Sequence, residues 1–505
     1  MNKLKILSPI TLFSILVIFV VLVLSTKGSS VPATPENMLT TLREETMPFE
    51  LSPERGRYAL VDSIVDNRSV YFSKEIAKYI LPDLGFYNDK YVSLFPPGTS
   101  IIAIPFYYLG KISGYPQYFA FLTSSFFAFL SCLVIYEIAN ILTKNQSISI
   151  ISSLTYLFGT TAFAYSTTLY QHHIVSFSLI LGILLLLDDE KFMNTFAIWT
   201  LGGLLFFVEY QALIFYLPVM VTNTLQNMII TKEQQNLRIK INNIIFIGVV
   251  GFLISLTPFF YYNMITYGKF YQLAGTVQSS KTVSEDPETG DLILPRSENI
   301  QEASGFFHIY KLPNSVSVLL TSTDRGVIYF SPVIIFSIFG LVPLYRKNKE
   351  LAVTIILMIL SIILLYGMWG DPWGGWAFGT RYLIPAFALM SIPIGMALNK
   401  YGKKWYFALP FTLVFFYSVF INLNGALTTN QIPPSIEVES QKYPYYTFIH
   451  NVNLAMEGKT SSFIYKTFLS DIDFRIFFFS IYALIVVVLI INYYLFFIDH
   501  RQKDD

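Results

Sequence analysis

Short polar stretches at the ends of apolar runs carry residues whose types could do chemistry. SPERGRYALVDSIVDNRS (52–69) and PDLGFYNDKYVSLFPPG (82–98) supply carboxylates at Glu54, Asp62, Asp66, Asp83 and Asp89, with cations at Arg55, Arg57 and Lys90. YQHH (170–173) adds His172 and His173, EYQ (209–211) adds Glu209, and STDRGVIYFSP (322–332) adds Arg325. GDPWGGWAFGTRY (370–382) holds Asp371, Trp373, Trp376, Arg381 and Tyr382 among Gly370, Gly374, Gly375 and Gly379. A positioned carboxylate can take the proton of an attacking hydroxyl. A guanidinium fork matches anionic oxygens and can hold charge that builds on a leaving group. Glycines let backbone turn sharply and approach a ligand closely.

Each residue also has a structural reading. Trp373 and Trp376 fit an interfacial aromatic belt, and Arg325 and Arg381 fit helix ends anchored to lipid headgroups. The histidine pair fits a helix cap, and Glu209 fits a side chain reaching for water. Asp62 and Asp66 fit the wet face of an amphipathic helix whose other face is Val61, Ile64 and Val65. Their convergence on one side of a membrane is what argues for a site.

That side follows from the elements that must hold them. The 505 residues are 53% hydrophobic and only 13% charged, about half the charge of an average soluble domain. Apolar runs long enough to cross a bilayer recur at about 5–25, 117–141, 147–168, 173–188, 192–208, 211–229, 241–263, 326–345, 351–369, 382–398, 405–423 and 475–497, which predicts an all-α polytopic membrane protein with about 12 transmembrane helices. The first run is long for a signal peptide and lacks a small-residue cleavage site, so it is expected to stay as the first span. Loops around Lys3 and Lys5, Lys144, Lys191, residues 231–242, 345–350, 399–404 and the tail are short and basic and fall on alternate sides of the count, which marks the cytoplasm and places both termini there. The other side receives long loops at about 26–97, 264–325 and 424–474, expected to be helical. Segment 99–112 is apolar but short, and reads as a re-entrant or interfacial helix on the outer side. Residues 1–423 read as the catalytic region, with 424–505 as an outer loop, last span and tail. Residues 281–299, polar and spaced by Pro and Gly, read as a mobile stretch or small lid.

The net charge of +1 argues against nucleic acid as a partner. The lone Cys132 excludes a disulfide framework and a cysteine metal site. No cofactor or metal ligand set is assigned, with a divalent metal left open. Asn67-Arg68-Ser69 matches the short N-glycan acceptor pattern.

The chain resembles the polytopic glycosyltransferases of the GT-C fold that use polyprenyl-phosphate-linked sugars, a group that includes protein O-mannosyltransferases and the aminoarabinose transferase of lipid A. The resemblance rests on a single span followed by a long acidic outer loop, on FYNDKYVSLFPPGTSIIAIPFYYLGK (86–111), on LTYLFGTTAFAYSTTLYQHHIVSFSL (154–179), and on RGVIYFSPVIIFSIFGL (325–341) followed by WGGWAFGTRYLIPA. It covers about residues 1–400. The acidic pair that family carries after the first span is here a single Glu54, and its Lys before Pro-Pro is Phe95.

The resemblance implies a transferase moving a hexosyl or pentosyl group, with inversion, from a polyprenyl- or dolichyl-phosphate sugar to a hydroxyl of a protein, lipid or glycan acceptor, at the outer face of a plasma membrane. Glu54 is then the expected base, with Asp62, Asp66 and Asp89 in reserve. Arg55, Arg57, Lys90, Arg325, Arg381, His172 and His173 are the expected donor-phosphate ligands. Trp373, Trp376, Asp371, Glu209 and Tyr382 are expected to meet sugar or lipid. Rival classes are a lipid-linked-glycan flippase, which would show internal repeats and mid-span charges, and a glycan ligase or polymerase.

Overall fold

The computed structural model describes residues 7–40, 44–233, 236–279, 284–286, 288–290, 292–293, 303–441 and 445–504. Each of the twelve apolar segments is helical. Among the described residues seven helices are long and apolar enough to cross a membrane: Pro116–Thr143, Lys191–Val208, Ile244–Tyr267, Lys349–Met368, Arg381–Tyr401, Trp405–Leu427 and Phe474–Ile498. Pro9–Ser25, His172–Leu186 and Ala212–Gln226 are apolar but shorter. Local chemistry sets several starts. Ser8 accepts from the Thr11 N–H at 3.1 Å ahead of Pro9, and Asn145 and Asn348 cap the helices at 146 and 349 in the same way.

Two apolar segments are interrupted. The stretch expected as 147–168 is Gln146–Leu157 and then Ala162–Ser166, and that expected as 326–345 is Val327–Phe330, a 3-10 turn Pro332–Phe336 and Ser337–Lys347. Pro332 lacks the N–H needed to continue a helix. The breaks meet: Ser331 Oγ accepts from the Thr161 N–H at 3.1 Å, and Asn422 donates to the Phe330 carbonyl at 2.7 Å. Backbone groups released at membrane depth are thereby paired inside the protein.

Small residues let the central helices approach. A Cβ on Gly340 would run into the Pro393 carbonyl of the 384–401 helix, and one on Gly395 would sit 2.8 Å from Ser152 Oγ.

The long loops expected outside supply the helices Ser52–Val65 and Lys74–Ile80. They also supply a hairpin that helical expectation passed over: strands Leu84–Tyr87 and Lys90–Ser93 pair antiparallel, turning at Asn88 and Asp89 with φ of +47° and +58°, as a two-residue type I′ turn requires. A short strand, Gln278–Ser279, adds to Leu84–Tyr87. Most of 281–299 lies outside the described residues; within it, Ser284 and Glu285 pair with Ile293 and Leu292. The middle loop also forms a helix, Leu312–Thr321, against the 349–368 helix.

A buried ion pair ties these loops together. Lys27 Nζ lies 3.1 Å from Glu50 Oε2, both side chains fully enclosed, and Glu50 also accepts from the N–H groups of Thr46 and Asn430. Asn430 is thereby bonded into the first long loop.

Candidate active site

A cavity of 410 Å³ opens where the ends of many elements meet. Pro53 and Arg57 of the 52–65 helix, Asp83, Phe95 and Pro96 form one side. Tyr170, Gln171 and His172 form the start of the 172–186 helix, and Glu209, Tyr210 and Gln211 the turn between the 191–208 and 212–226 helices. Tyr366, Trp369, Arg381 and Tyr382 close the far side, with an apolar wall from Leu273, Phe306 and Phe307.

Two guanidiniums bracket one phenol ring. The Cζ of Arg57 lies 5.2 Å from the Tyr170 ring centroid and that of Arg381 lies 5.4 Å from it. Arg381 Nη1 donates to Tyr170 Oη at 3.1 Å. Arg57 lies over Phe95 at 4.5 Å, and donates to the Pro53 carbonyl at 2.9 Å and to Gln171 Oε1 at 2.6 Å. Burial pulls the Arg57 guanidinium down to about 10, which leaves it cationic at neutral pH. Neither cation forms an ion pair among the described residues. His172 stacks on Tyr170 with centroids 5.6 Å apart and planes 10° apart, and both of its ring nitrogens lack partners. Arg381 Nε and Glu209 Oε2 are buried and unpartnered too. Buried polar groups are normally bonded. The unpartnered Arg381 Nε and one His172 N–H, beside two unpaired cations, can meet an anion, while Glu209 Oε2 is an acceptor left for a donor such as a hydroxyl.

Glu209 accepts from Tyr366 Oη at 2.8 Å, and Tyr366 stacks on Tyr382 with centroids 4.4 Å apart. Asp83 accepts from Ser52 Oγ at 2.6 Å. Trp369 stacks on Phe306 at 5.2 Å and meets Phe307 edge-on at 5.3 Å.

Arg57, His172, Glu209, Arg381 and Tyr382 of the expected site residues line this cavity, and so does Asp83. The others lie elsewhere, each for a visible reason. Arg325 is fully buried, with its guanidinium donating to the carbonyls of Trp373, Asp324, Gly375 and Ile432 at 2.7–3.0 Å, so it fastens the glycine-rich loop and is not turned to a ligand. Asp371 organises the same loop by accepting from the N–H groups of Trp373 at 3.1 Å and Gly375 at 2.6 Å. Trp376 donates to Glu437 at 2.8 Å. Neither Trp373 nor Trp376 reaches the cavity; Trp369 supplies its indole wall. His173 is bonded in the core, 3.0 Å from Tyr156 Oη and 2.9 Å from the Ala162 carbonyl. Arg55 donates to the carbonyls of Phe49, Glu50 and Leu81.

Asp62 and Asp66 sit with Tyr107 Oη at 3.0 and 2.8 Å, and Lys111 pairs with Asp66, which pins the 52–65 helix onto Gly98–Ser113. Burial raises Asp62 from its ordinary value. Asp89 is in the hairpin turn, and Lys90 covers Tyr71 at 4.0 Å.

Glu54 lies one helical turn before Arg57 and does not line the cavity. Its Oε1 accepts from the Leu51 N–H at 2.9 Å and its Oε2 from the Thr168 hydroxyl, two residues before Tyr170. Burial pushes its carboxyl up to about 7, opposed by Lys27 and reinforced by Glu50.

Gln171, Tyr366, Trp369 and Phe306 also line the cavity and carry no expected role. Gln171 stood in YQHH, and Tyr366 and Trp369 broke an apolar run near its outer end. Phe306 had no signal, because only folding brings it to Trp369.

The fold is that of an all-α polytopic membrane protein of the GT-C type. Solved structures with this architecture include ArnT from Cupriavidus metallidurans in the apo state, 11% identical with a TM-score of 0.50 over 95% of this chain and 75% of that one. A structure of ArnT from the same organism bound to undecaprenyl phosphate is 12% identical with a TM-score of 0.49 over 95% and 76%. No protein-family model and no curated protein matches the sequence.

Proposed function

We propose that the chain is an integral membrane glycosyltransferase that moves a sugar from a polyprenyl-phosphate-linked donor to an acceptor hydroxyl at the outer face of a plasma membrane. The observation that carries this reading is the pair of unpaired guanidiniums, Arg57 and Arg381, on one ring inside a cavity with an apolar wall. A lipid phosphate has its charge at headgroup level and its chain in the bilayer, and needs both features at once. The GT-C fold supports it.

The acceptor hydroxyl loses its proton to a carboxylate and attacks the anomeric carbon. The bond from that carbon to the phosphate oxygen breaks on the opposite side, and the sugar inverts. Arg57 and Arg381 take the charge that gathers on the phosphate, and His172 can donate to it. Glu209, Tyr382 and Trp369 face the sugar. Glu54 is the base in this reading, which requires its carboxylate to leave Thr168 and turn into the cavity that it does not line; a carboxylate near 7 has a proton affinity suited to neutral pH, and it stands a turn from Arg57. A second reading gives that step to Asp83 or Glu209, because both line the cavity.

The test is a reconstituted protein given labelled polyprenyl-phosphate sugars. Release of free polyprenyl phosphate with the label on an acceptor supports the transferase. Transfer of intact donor between leaflets without release supports a flippase and sinks the proposal.

A further inference from the structure

Gln171 stands between a buried guanidinium and a buried carboxyl group. Its carbonyl oxygen accepts from Arg57 Nη2 at 2.6 Å and its amide nitrogen donates to Glu209 Oε1 at 3.3 Å. Arginine has only donors and an ionised carboxylate only acceptors, so an amide is a neutral side chain able to satisfy both, and the two neighbours fix which end is oxygen. Arg57 and Glu209 are 4% and 7% exposed, line the same cavity and are not joined by an ion pair. Opposite charges taken out of water attract strongly. Direct contact between them would occupy the guanidinium and fill the unpartnered Glu209 Oε2.

We propose that Gln171 is a positioning residue, a neutral spacer that holds Arg57 off Glu209 and so keeps the guanidinium open to a phosphate ester in the cavity. This rests on the reading of Arg57 as a phosphate ligand. Without the amide, a phosphate must compete with the resident carboxylate for Arg57. With the charge of Glu209 also removed, that competitor is gone.

The experiment measures binding of a long-chain polyprenyl phosphate, without sugar, to the full chain in nanodiscs. Gln171→Met, close in volume but without hydrogen bonds, is placed in the Glu209 background and in a Glu209→Gln background, with thermal melting read alongside. The spacer expects affinity to fall about tenfold in the first background and about threefold or less in the second, the coupling that a double-mutant cycle isolates. A merely structural role lowers affinity by the same factor in both, and that result, or no loss in the first, overturns the proposal. If Gln171→Met does not fold, Gln171→Asn replaces it: one methylene shorter, it cannot span both partners, and the same two-background comparison decides. Arg57→Ala separates the two ideas. Binding that ignores Arg57 overturns the functional reading and the spacer together, whereas binding that needs Arg57 but is indifferent to Gln171 overturns only the spacer.

Discussion

At the scale of single residues, two arginines expected to do the same thing are expected to part company. Arg381 faces the cavity, and Arg325 holds four carbonyls. Removing a preorganised charge contact from a developing anion commonly costs about 10²–10³ in rate, so Arg381→Ala and Arg57→Ala should lose about that much turnover while the chain still folds, melting less far below wild type than Arg325→Ala. Arg325→Ala leaves buried carbonyls unpaired at about 1–3 kcal/mol each, so its primary effect should be a lower melting temperature. Wild-type melting of that variant would contradict the fastening role. Glu54 carries a pH signature. Its carboxyl rises from an ordinary 4.5 to about 7 through burial. Between those values the folded chain keeps a proton that the unfolded chain has released, so this group's contribution to stability is full below about 4.5 and is lost as pH climbs through about 7. Glu54→Gln should flatten that decline in melting profiles. If Glu54 is also the base, wild-type transfer rises as pH passes about 7 and the Gln variant is inactive at every pH; an active variant moves the base to Asp83 or Glu209.

At the scale of elements, the glycine-rich loop is a frame built to present Arg381. Gly374, Gly375 and Gly379 have φ of +71°, +63° and +58°, where a side chain is strained. Space separates them further. A Cβ on Gly375 meets nothing within 4 Å, whereas one on Gly379 comes within 2.6 Å of Thr161 and 2.9 Å of the Phe330 ring. Gly375→Ala should therefore cost about 1–2 kcal/mol from backbone strain alone, and Gly379→Ala distinctly more, because it also pries the loop from the two interrupted segments; equal melting temperatures would refute the distinction. These elements were unequally legible in the sequence. Apolar length marked the helices of the twelve apolar segments, since hydrocarbon thickness imposes it, but not the loop helices Lys74–Ile80 and Leu312–Thr321. The breaks at 158–161 and 331–332 were not marked, because pairing at Thr161 and Ser331 joins positions 170 residues apart. Arg57, Arg381 and Glu209 could be picked out as ionisable groups at span ends. That Arg325 is fastened and Arg381 is open depends on the Ile432 carbonyl, 107 residues from Arg325, and no local pattern encodes it.

At the scale of the whole molecule, hydrogen bonds between distant loops constrain how often the chain crosses the membrane. Strand Leu84–Tyr87 pairs with Gln278–Ser279, so the first and middle outer loops share one side. Between them lie six helical segments, at 116–143, 146–166, 172–186, 191–208, 212–226 and 244–267, besides the 98–113 helix. Six crossings return the chain to the side it left, and seven would not. If all six cross, the 98–113 helix stays at one surface, as we propose, which suits its exposed Tyr108, Leu109 and Ile112 beside Lys111. The Asn430 N–H on Glu50 puts the 428–434 loop on that side as well, after four further segments at 327–347, 349–368, 384–401 and 405–427. On this proposed count the 9–25 and 474–504 helices lead both termini to the opposite side, that of the basic loops. Reporters fused after residues 70, 290 and 450 should therefore all read as external, and those after 235, 348 and 402 as cytoplasmic. The reading at 290 decides most: if it is cytoplasmic while 70 is external, the 98–113 helix crosses, the strand pairing at Gly85 and Ser279 cannot form in the membrane-embedded protein, and the cavity cannot be closed by Leu273 and Phe306 from the same face as Arg57.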